Sequence, residues 1–172
     1  MATVSLDDGT WRYTWPAGSR LLAELDSLVD ASARRVIDLG CGQGRLGLWA
    51  HAHGAATVVF ADQSPAALAA IPSHPGICCM IHQWGDPLPA CDLLLGGDIL
   101  YRSALFPELM TSVASALQTA DSEALLVDPR SSLEDDLPRL ASSRGLTWQS
   151  ERRSSGYTLV RLRPVTSRPE HP

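Results

Sequence analysis

An apolar run, Val36-Ile37-Asp38-Leu39, opens directly into Gly40-Cys41-Gly42-Gln43-Gly44, and no other stretch of this 172-residue chain restricts its fold more. Glycines at alternate positions permit backbone turns that other residues avoid, and they let a ligand approach the main chain with no side chain between. An apolar strand that enters such a turn and continues into helical spacing over residues 44–53 reads as the start of a ligand-binding βαβ unit. The spacing narrows the ligand. Dinucleotide loops read G-x-G-x-x-G, and Arg45 stands where the last glycine would fall. A phosphate-binding loop would continue into Gly-Lys-Ser/Thr, and none follows.

Apolar strands and amphipathic helical stretches alternate over residues 34–145, which predicts an α/β fold with a doubly wound sheet. Strands are expected at 35–39, 57–61, 77–82, 91–96 and 124–128, with a closing pair at 147–152 and 157–163 joined by a Ser-Ser-Gly turn as an edge hairpin. Helices are expected at 18–31, where Leu21, Leu22, Leu25, Leu28 and Val29 share one face, and at 44–53, 104–117 and 133–143. Ser64-Pro65 caps a short helix through Ala70. Pro129 ends the fifth strand, and the polar, proline-rich residues 164–172 read as a frayed tail. Trp11, Tyr13 and Trp15 alternate in the N-terminal segment, which fits either a short strand on the core or an aromatic wall; residues 1–16 are the expected lid.

The length suits one domain, and 45% hydrophobic with 19% charged residues is a globular balance. A net charge of -5 argues against nucleic acid as the main partner, because phosphate binding needs clustered Lys and Arg. Basic residues gather only near the end, at Arg152, Arg153, Arg161, Arg163 and Arg168, and alternation there predicts solvent-facing strand positions. Cys41, Cys78, Cys79 and Cys91 form no C-x-x-C pair and stand with no His at metal-ligand spacing, so buried reduced thiols and no metal are expected. The five histidines are scattered and read as surface or packing residues. Acids at the N-terminus and the lack of a long apolar run point to a cytoplasmic protein without a membrane span.

In open parallel sheets ligands bind beyond the carboxyl ends of the strands. The first strand ends in Asp38 and the glycine loop. The second ends in Asp62, 22 residues beyond Gly40, where an acid can accept both hydroxyls of a ribose. After the third come Gln83, Trp84 and Asp86: a flat apolar ring for an adenine and an acceptor for an amino group. After the fourth come Gly97, Asp98 and Tyr101.

Residues 36–44, with Asp62 closing the second strand, resemble the cofactor site of class I S-adenosylmethionine-dependent methyltransferases. The resemblance implies a Rossmann-like sheet of about seven strands, mostly parallel with an antiparallel last strand, in a single domain over residues 1–172. It implies S-adenosylmethionine as cofactor, bound by Asp38, Gly40, Cys41, Gly42, Gly44, Asp62 and Gln63; a sulfonium with an amino-acid tail needs no phosphate loop. A narrower similarity covers residues 11–163. Thr14-Trp15-Pro16-Ala17-Gly18, Gln83-Trp84-Gly85-Asp86-Pro87 and Gly97-Asp98-Ile99-Leu100-Tyr101 resemble the seven-strand protein lysine methyltransferase family, whose members carry Asp-x-x-Tyr after strand four. That similarity implies that Trp15 and Gly18 line the methionine end, that Gln83, Trp84 and Gly97 border the cofactor with Trp84 beside the adenine, and that Asp98 and Tyr101 are catalytic. Val127-Asp128-Pro129-Arg130 resembles a Gly-Asp-Pro-Gly-Arg stretch of the subgroup, from which Ser131 and the missing glycine depart.

Methyl transfer to an amine needs alignment of the nucleophile and loss of a proton. Asp98 could orient an ammonium by a charge-assisted hydrogen bond while Tyr101 shapes the entrance and water takes the proton. The Asn/Asp-Pro-Pro-Tyr signature of enzymes that methylate adenine, guanine or glutamine is absent, since Gly97-Asp98-Ile99-Leu100 stands in its place. The expected activity is N-methylation of a protein lysine; a small-molecule amine substrate, or a cofactor-binding module without catalysis, remain alternatives. On this reading, calorimetric titration gives binding of S-adenosylhomocysteine and none of NAD; the reverse result would restore a dinucleotide site.

Overall fold

The computed structural model describes residues 9–128 and 136–165. Pro129, Arg130 and Ser131, the expected helix start at Leu133, residues 1–8 and the tail from 166 lie outside the described residues. Among the described residues, β1 (Arg35–Leu39), β2 (Thr57–Asp62), β3 (Ile77–Ile81), β4 (Leu93–Gly97), β5 (Glu123–Asp128), β6 (Leu146–Arg152) and β7 (Thr158–Pro164) form one sheet ordered β3-β2-β1-β4-β5-β7-β6. The first five strands are parallel. β7 runs antiparallel to both β5 and β6, with Val160 opposite Leu126 on one side and Ser150 on the other. Strand order reverses at β1, so β2 lies on one side of it and β4 on the other.

Helices α1 (Pro16–Leu28), α2 (Arg45–Ala52) and α3 (Pro65–Ala69) cover one face of the sheet, and α4 (Phe106–Ala116) and α5 (Asp136–Ser143) cover the other. Leu21, Leu25, Leu46 and Phe60 fill the first layer with Val36 and Leu95. Phe106, Leu109 and Leu137 fill the second with Ile37 and Leu94. Neighbouring residues of one strand thus enter opposite cores, which is why the central strands read as continuous apolar runs. No helix among the described residues is long and apolar enough to cross a membrane.

The local signals act as expected at α3, where the Ser64 hydroxyl accepts the Ala67 N–H at 3.2 Å and Pro65 occupies the first turn. α1 starts two residues before the predicted position, because Pro16 has the backbone angle of a helical first turn and lacks the N–H such a turn would leave unpaired. Trp11 lies in a 3-10 turn, Thr10–Arg12, with Tyr13 and Trp15 extended beyond it, so the N-terminal aromatics do not form a strand.

Two expectations are corrected. Cys78 and Cys79 are exposed, since β3 is the edge of the sheet and only the five-residue α3 packs near it; Cys41 and Cys91 are buried, and all four thiols are free. The alternating arginines do not simply face solvent. Arg161 and Arg163 of β7, with Arg34, converge on Glu123, whose side chain is only 8% exposed; Arg34 lies at 3.3 Å and Arg163 at 3.0 Å. Arg153 binds Glu24 of α1 at 2.9 Å, and Ser155 and Tyr157 donate hydroxyls to the same carboxylate at 2.6 and 3.0 Å. The closing hairpin therefore anchors α1.

Burial would push the Glu123 carboxyl up, but hydrogen bonds and charge from Arg161 and then Arg163 hold it below its ordinary value. A lowered carboxylate stabilises the fold above its unfolded pKa, and that contribution is lost as pH falls through the folded one. Glu123→Ala is expected to lower stability at neutral pH by about 2 kcal/mol, less than for fully buried pairs because the arginines reach solvent. Urea unfolding checks this, with the difference from wild type shrinking in acid.

Candidate active site

The carboxyl ends of β1 to β4 open into one cavity of about 620 Å³, within the range of small-molecule sites. Its floor is built by three aspartates at the carboxyl ends of the adjacent strands β2, β1 and β4, and each carboxylate accepts a glycine N–H. Asp38, 2% exposed, takes Gly47 of α2 at 2.8 Å. Asp62 takes Gly42 of the loop at 2.9 Å with one oxygen and Ser64, at the start of α3, at 2.9 Å with the other. Asp98 takes Gly18 in the first turn of α1 at 2.6 Å. Trp15 at the N-cap of α1 makes no side-chain cap bond, so a carboxylate 80 residues away serves that helix end.

Close backbone approach makes this possible. A Cβ on Gly97 would lie 3.2 Å from the Gly18 Cα, and one on Gly18 would lie 3.3 Å from the Asp98 carboxylate. Asp98 itself has φ 56, a left-handed conformation that Asp tolerates better than most side-chained residues. In the loop, the Gly40 and Cys41 N–H groups donate to the Ala61 carbonyl at 2.8 and 3.3 Å, which fastens the turn to the end of β2.

The rim is aromatic. Trp84 and Tyr101 meet edge to face at 5.9 Å, and Tyr13 and Trp15 do so at 6.4 Å. Arg12 stacks over Trp11 and Arg102 over Tyr101, each at 5.3 Å from the ring centre. Of the two structures open to the N-terminal aromatics, the cavity wall is the one observed.

Burial, with the nearby Asp62 charge and against the Gly47 bond, pushes the Asp38 carboxyl up to about 7. Burial and then the charges of Asp38 and Asp62 push the Cys41 thiol upward, so it is a neutral packing group.

Thirteen of the fourteen residues expected at the site, from Trp15 and Gly18 through Gln63 to Gly97, Asp98 and Tyr101, line this cavity. Gly44 does not. It is the N-cap of α2 at φ 72, and a Cβ there would lie 2.4 Å from Ile71 and 2.9 Å from Phe60, so this glycine serves packing beneath the loop. Asp86 is exposed and outside the wall. Sequence reasoning missed Gln43, whose amide donates to the Arg12 carbonyl at 2.7 Å and accepts from Thr14 at 3.2 Å, clasping the N-terminal segment to the loop. Its place between two glycines was the available signal. His82, Arg102 and Ile99 also enter the wall, without any sequence signal. No cluster of three or more potential metal ligands occurs among the described residues.

The methyltransferase small domain family model matches residues 14–73. The electron transfer flavoprotein beta subunit lysine methyltransferase of Danio rerio is 33% identical over 137 residues, covering 74% of this chain and 53% of that protein. Protein N-lysine methyltransferase METTL21A of Danio rerio is 32% identical over 133 residues, covering 69% and 60%. The chain thus spans roughly half to three-fifths of the length of these curated relatives. In fold it resembles a TehB-like S-adenosylmethionine-dependent methyltransferase from Corynebacterium glutamicum, with TM-score 0.70, 18% identity and coverage of 86% and 87%. It likewise resembles magnesium protoporphyrin IX methyltransferase from Synechocystis with bound S-adenosylhomocysteine, with TM-score 0.66, 16% identity and coverage of 94% and 88%.

The chain has the fold of S-adenosylmethionine-dependent methyltransferases, and its residues 14–73 match a methyltransferase small domain. Within that class its sequence resembles the seven-strand protein lysine methyltransferases.

The Asp38 shift has a definite sign. An acid raised by folding keeps a proton that the unfolded chain has released, so its contribution is full below the unfolded pKa of about 4 and is lost as pH rises through about 7. Urea midpoints of wild type should therefore fall relative to Asp38→Asn between about pH 4 and about pH 7 and run level above that. Parallel pH profiles would contradict a protonated Asp38.

Proposed function

We propose that this chain transfers a methyl group from S-adenosylmethionine to the ε-amino group of a lysine in a protein. One observation carries the reading: Asp98 and Tyr101, spaced as in the Asp-x-x-Tyr signature, stand together in the wall of a cavity whose floor is carboxylate. The residues present fit a cationic cofactor. Asp98 would bring negative charge toward the sulfonium, and the Asp62 carboxylate, with about four lone-pair sites, would accept ribose hydroxyls beyond its two backbone bonds. Bound here, the cofactor supplies an electrophilic methyl on sulfur.

The protein's part is alignment. The Gly18 amide fixes the Asp98 carboxylate at the floor, and Asp98 accepts a hydrogen bond from the substrate nitrogen, aiming its lone pair along the line of displacement. Held so by Asp98, a neutral amine nitrogen would take the methyl with departure of the thioether and then release its extra proton to water. Tyr101, with Trp84 packed on its ring, borders the alkyl stem of the lysine. The similarity to two protein lysine methyltransferases supports the substrate class, and the four free thiols support a cytoplasmic setting. The single sheet among the described residues supports one catalytic domain.

Tritiated-methyl transfer into cell lysate should label protein, recovered on gels as methyl-lysine. Asp98→Asn keeps an oxygen for the Gly18 amide, so calorimetry should give unchanged S-adenosylhomocysteine binding while transfer falls by about 100-fold. Label confined to the solvent-extractable fraction would overturn the protein reading, and full activity of the variant would overturn the role of Asp98.

A further inference from the structure

His82 follows β3 directly, and its main-chain N–H donates to the Asp62 carbonyl at 3.0 Å, which holds it beside the end of β2. The residue is 2% exposed and belongs to the cavity wall with Gln83 and Trp84. Neither Nδ1 nor Nε2 has a hydrogen-bond partner among the described residues. A buried polar group left unpaired costs stability, and an apolar side chain would avoid that cost. The imidazole is thus unexplained by folding alone.

Its position supplies a reason. Along the strand ends the cavity runs from Asp98 and Gly18 beside β4, past the glycine loop of β1, to Asp62 at β2 and His82 at β3. If Asp62 takes the ribose hydroxyls, the base lies beyond it, toward His82. Burial lowers the imidazole's pKa, against the opposing charge of Asp86, so the ring is neutral at physiological pH and offers one donor and one acceptor. Adenine's amino edge pairs a donor with ring acceptors.

We propose that His82 is an adenine-recognition residue, whose imidazole turns onto the base and accepts a hydrogen bond from the exocyclic amino group. Turning breaks no hydrogen bond made to another described residue, since the ring makes none. The proposal rests on the reading of this cavity as an S-adenosylmethionine site.

The test uses S-adenosylhomocysteine and its 6-deamino analogue, with purine in place of adenine, as calorimetric probes. His82→Leu is expected to leave the thermal midpoint of the protein unchanged or higher, because it removes the unpaired nitrogens, while weakening S-adenosylhomocysteine binding about 5- to 10-fold. Wild type should prefer the amino-bearing probe and His82→Leu should lose that preference, with His82→Gln restoring most of it. Nitrogen-15 spectra of wild type should move the His82 ring resonances on addition of S-adenosylhomocysteine. Equal losses for both probes, undiminished binding by His82→Leu, or unmoved ring resonances at saturation would overturn the proposal. If His82→Leu fails to fold, the wild-type spectra decide alone. No binding of either probe by wild type would instead overturn the cofactor reading beneath it.

Discussion

Three carboxylates at the ends of β1, β2 and β4 each hold a glycine amide, and the cavity exists because of those bonds. Asp38 holds α2 through Gly47, Asp62 holds the loop through Gly42, and Asp98 holds α1 through Gly18. At the start of α1 the Asp98 carboxylate meets unpaired N–H groups and the positive end of the helix dipole, so that bond is charge-assisted. Glycine is required on the other side of at least two of the carboxylate bonds. A Cβ on Gly47 would lie 2.4 Å from Phe60, and one on Gly18 would press on Asp98 itself. The acids that a sequence reader assigns to a ligand are thus also the clamps that shape the space for it.

The sheet and most of the site were legible because their signals are local. The loop spacing, the strand-end acids and the Ser64-Pro65 cap each lie within a few residues of what they determine. What stayed hidden depends on contacts across long separations. Asp98 capping α1 spans 80 residues, and nothing near Asp98 announces it. Gly44 has the same spacing as Gly40 and Gly42, yet Ile71 and Phe60 claim the space above it. The alternation from Tyr157 to Arg163 correctly marks a strand, but Glu123, on a neighbouring strand, decides that those arginines are paired. The exposure of Cys78 and Cys79 follows from β3 being last in the sheet order, a property of topology that composition does not contain.

α1 is the element on which both ends of the molecule meet. Glu24 ties it to the closing hairpin through Arg153, Ser155 and Tyr157, while Gly18 ties it to the end of β4. Gln43 and Arg45 add bonds from the loop and α2 to the segment before α1 and to Ser19. The N-terminal aromatic wall is therefore braced against the glycine loop by side-chain hydrogen bonds, and it does not rely on packing into the core.

The clamp layer is made almost entirely with main-chain amides, whereas the rim above it is made of the side chains of Tyr13, Trp15, Trp84 and Tyr101. Replacing a rim ring alters what can enter without removing a bond that shapes the floor. Such a molecule can diverge at its mouth by single substitutions while its floor changes only by coordinated ones, and descendants of one ancestral chain would keep a common donor site while parting company over what they modify.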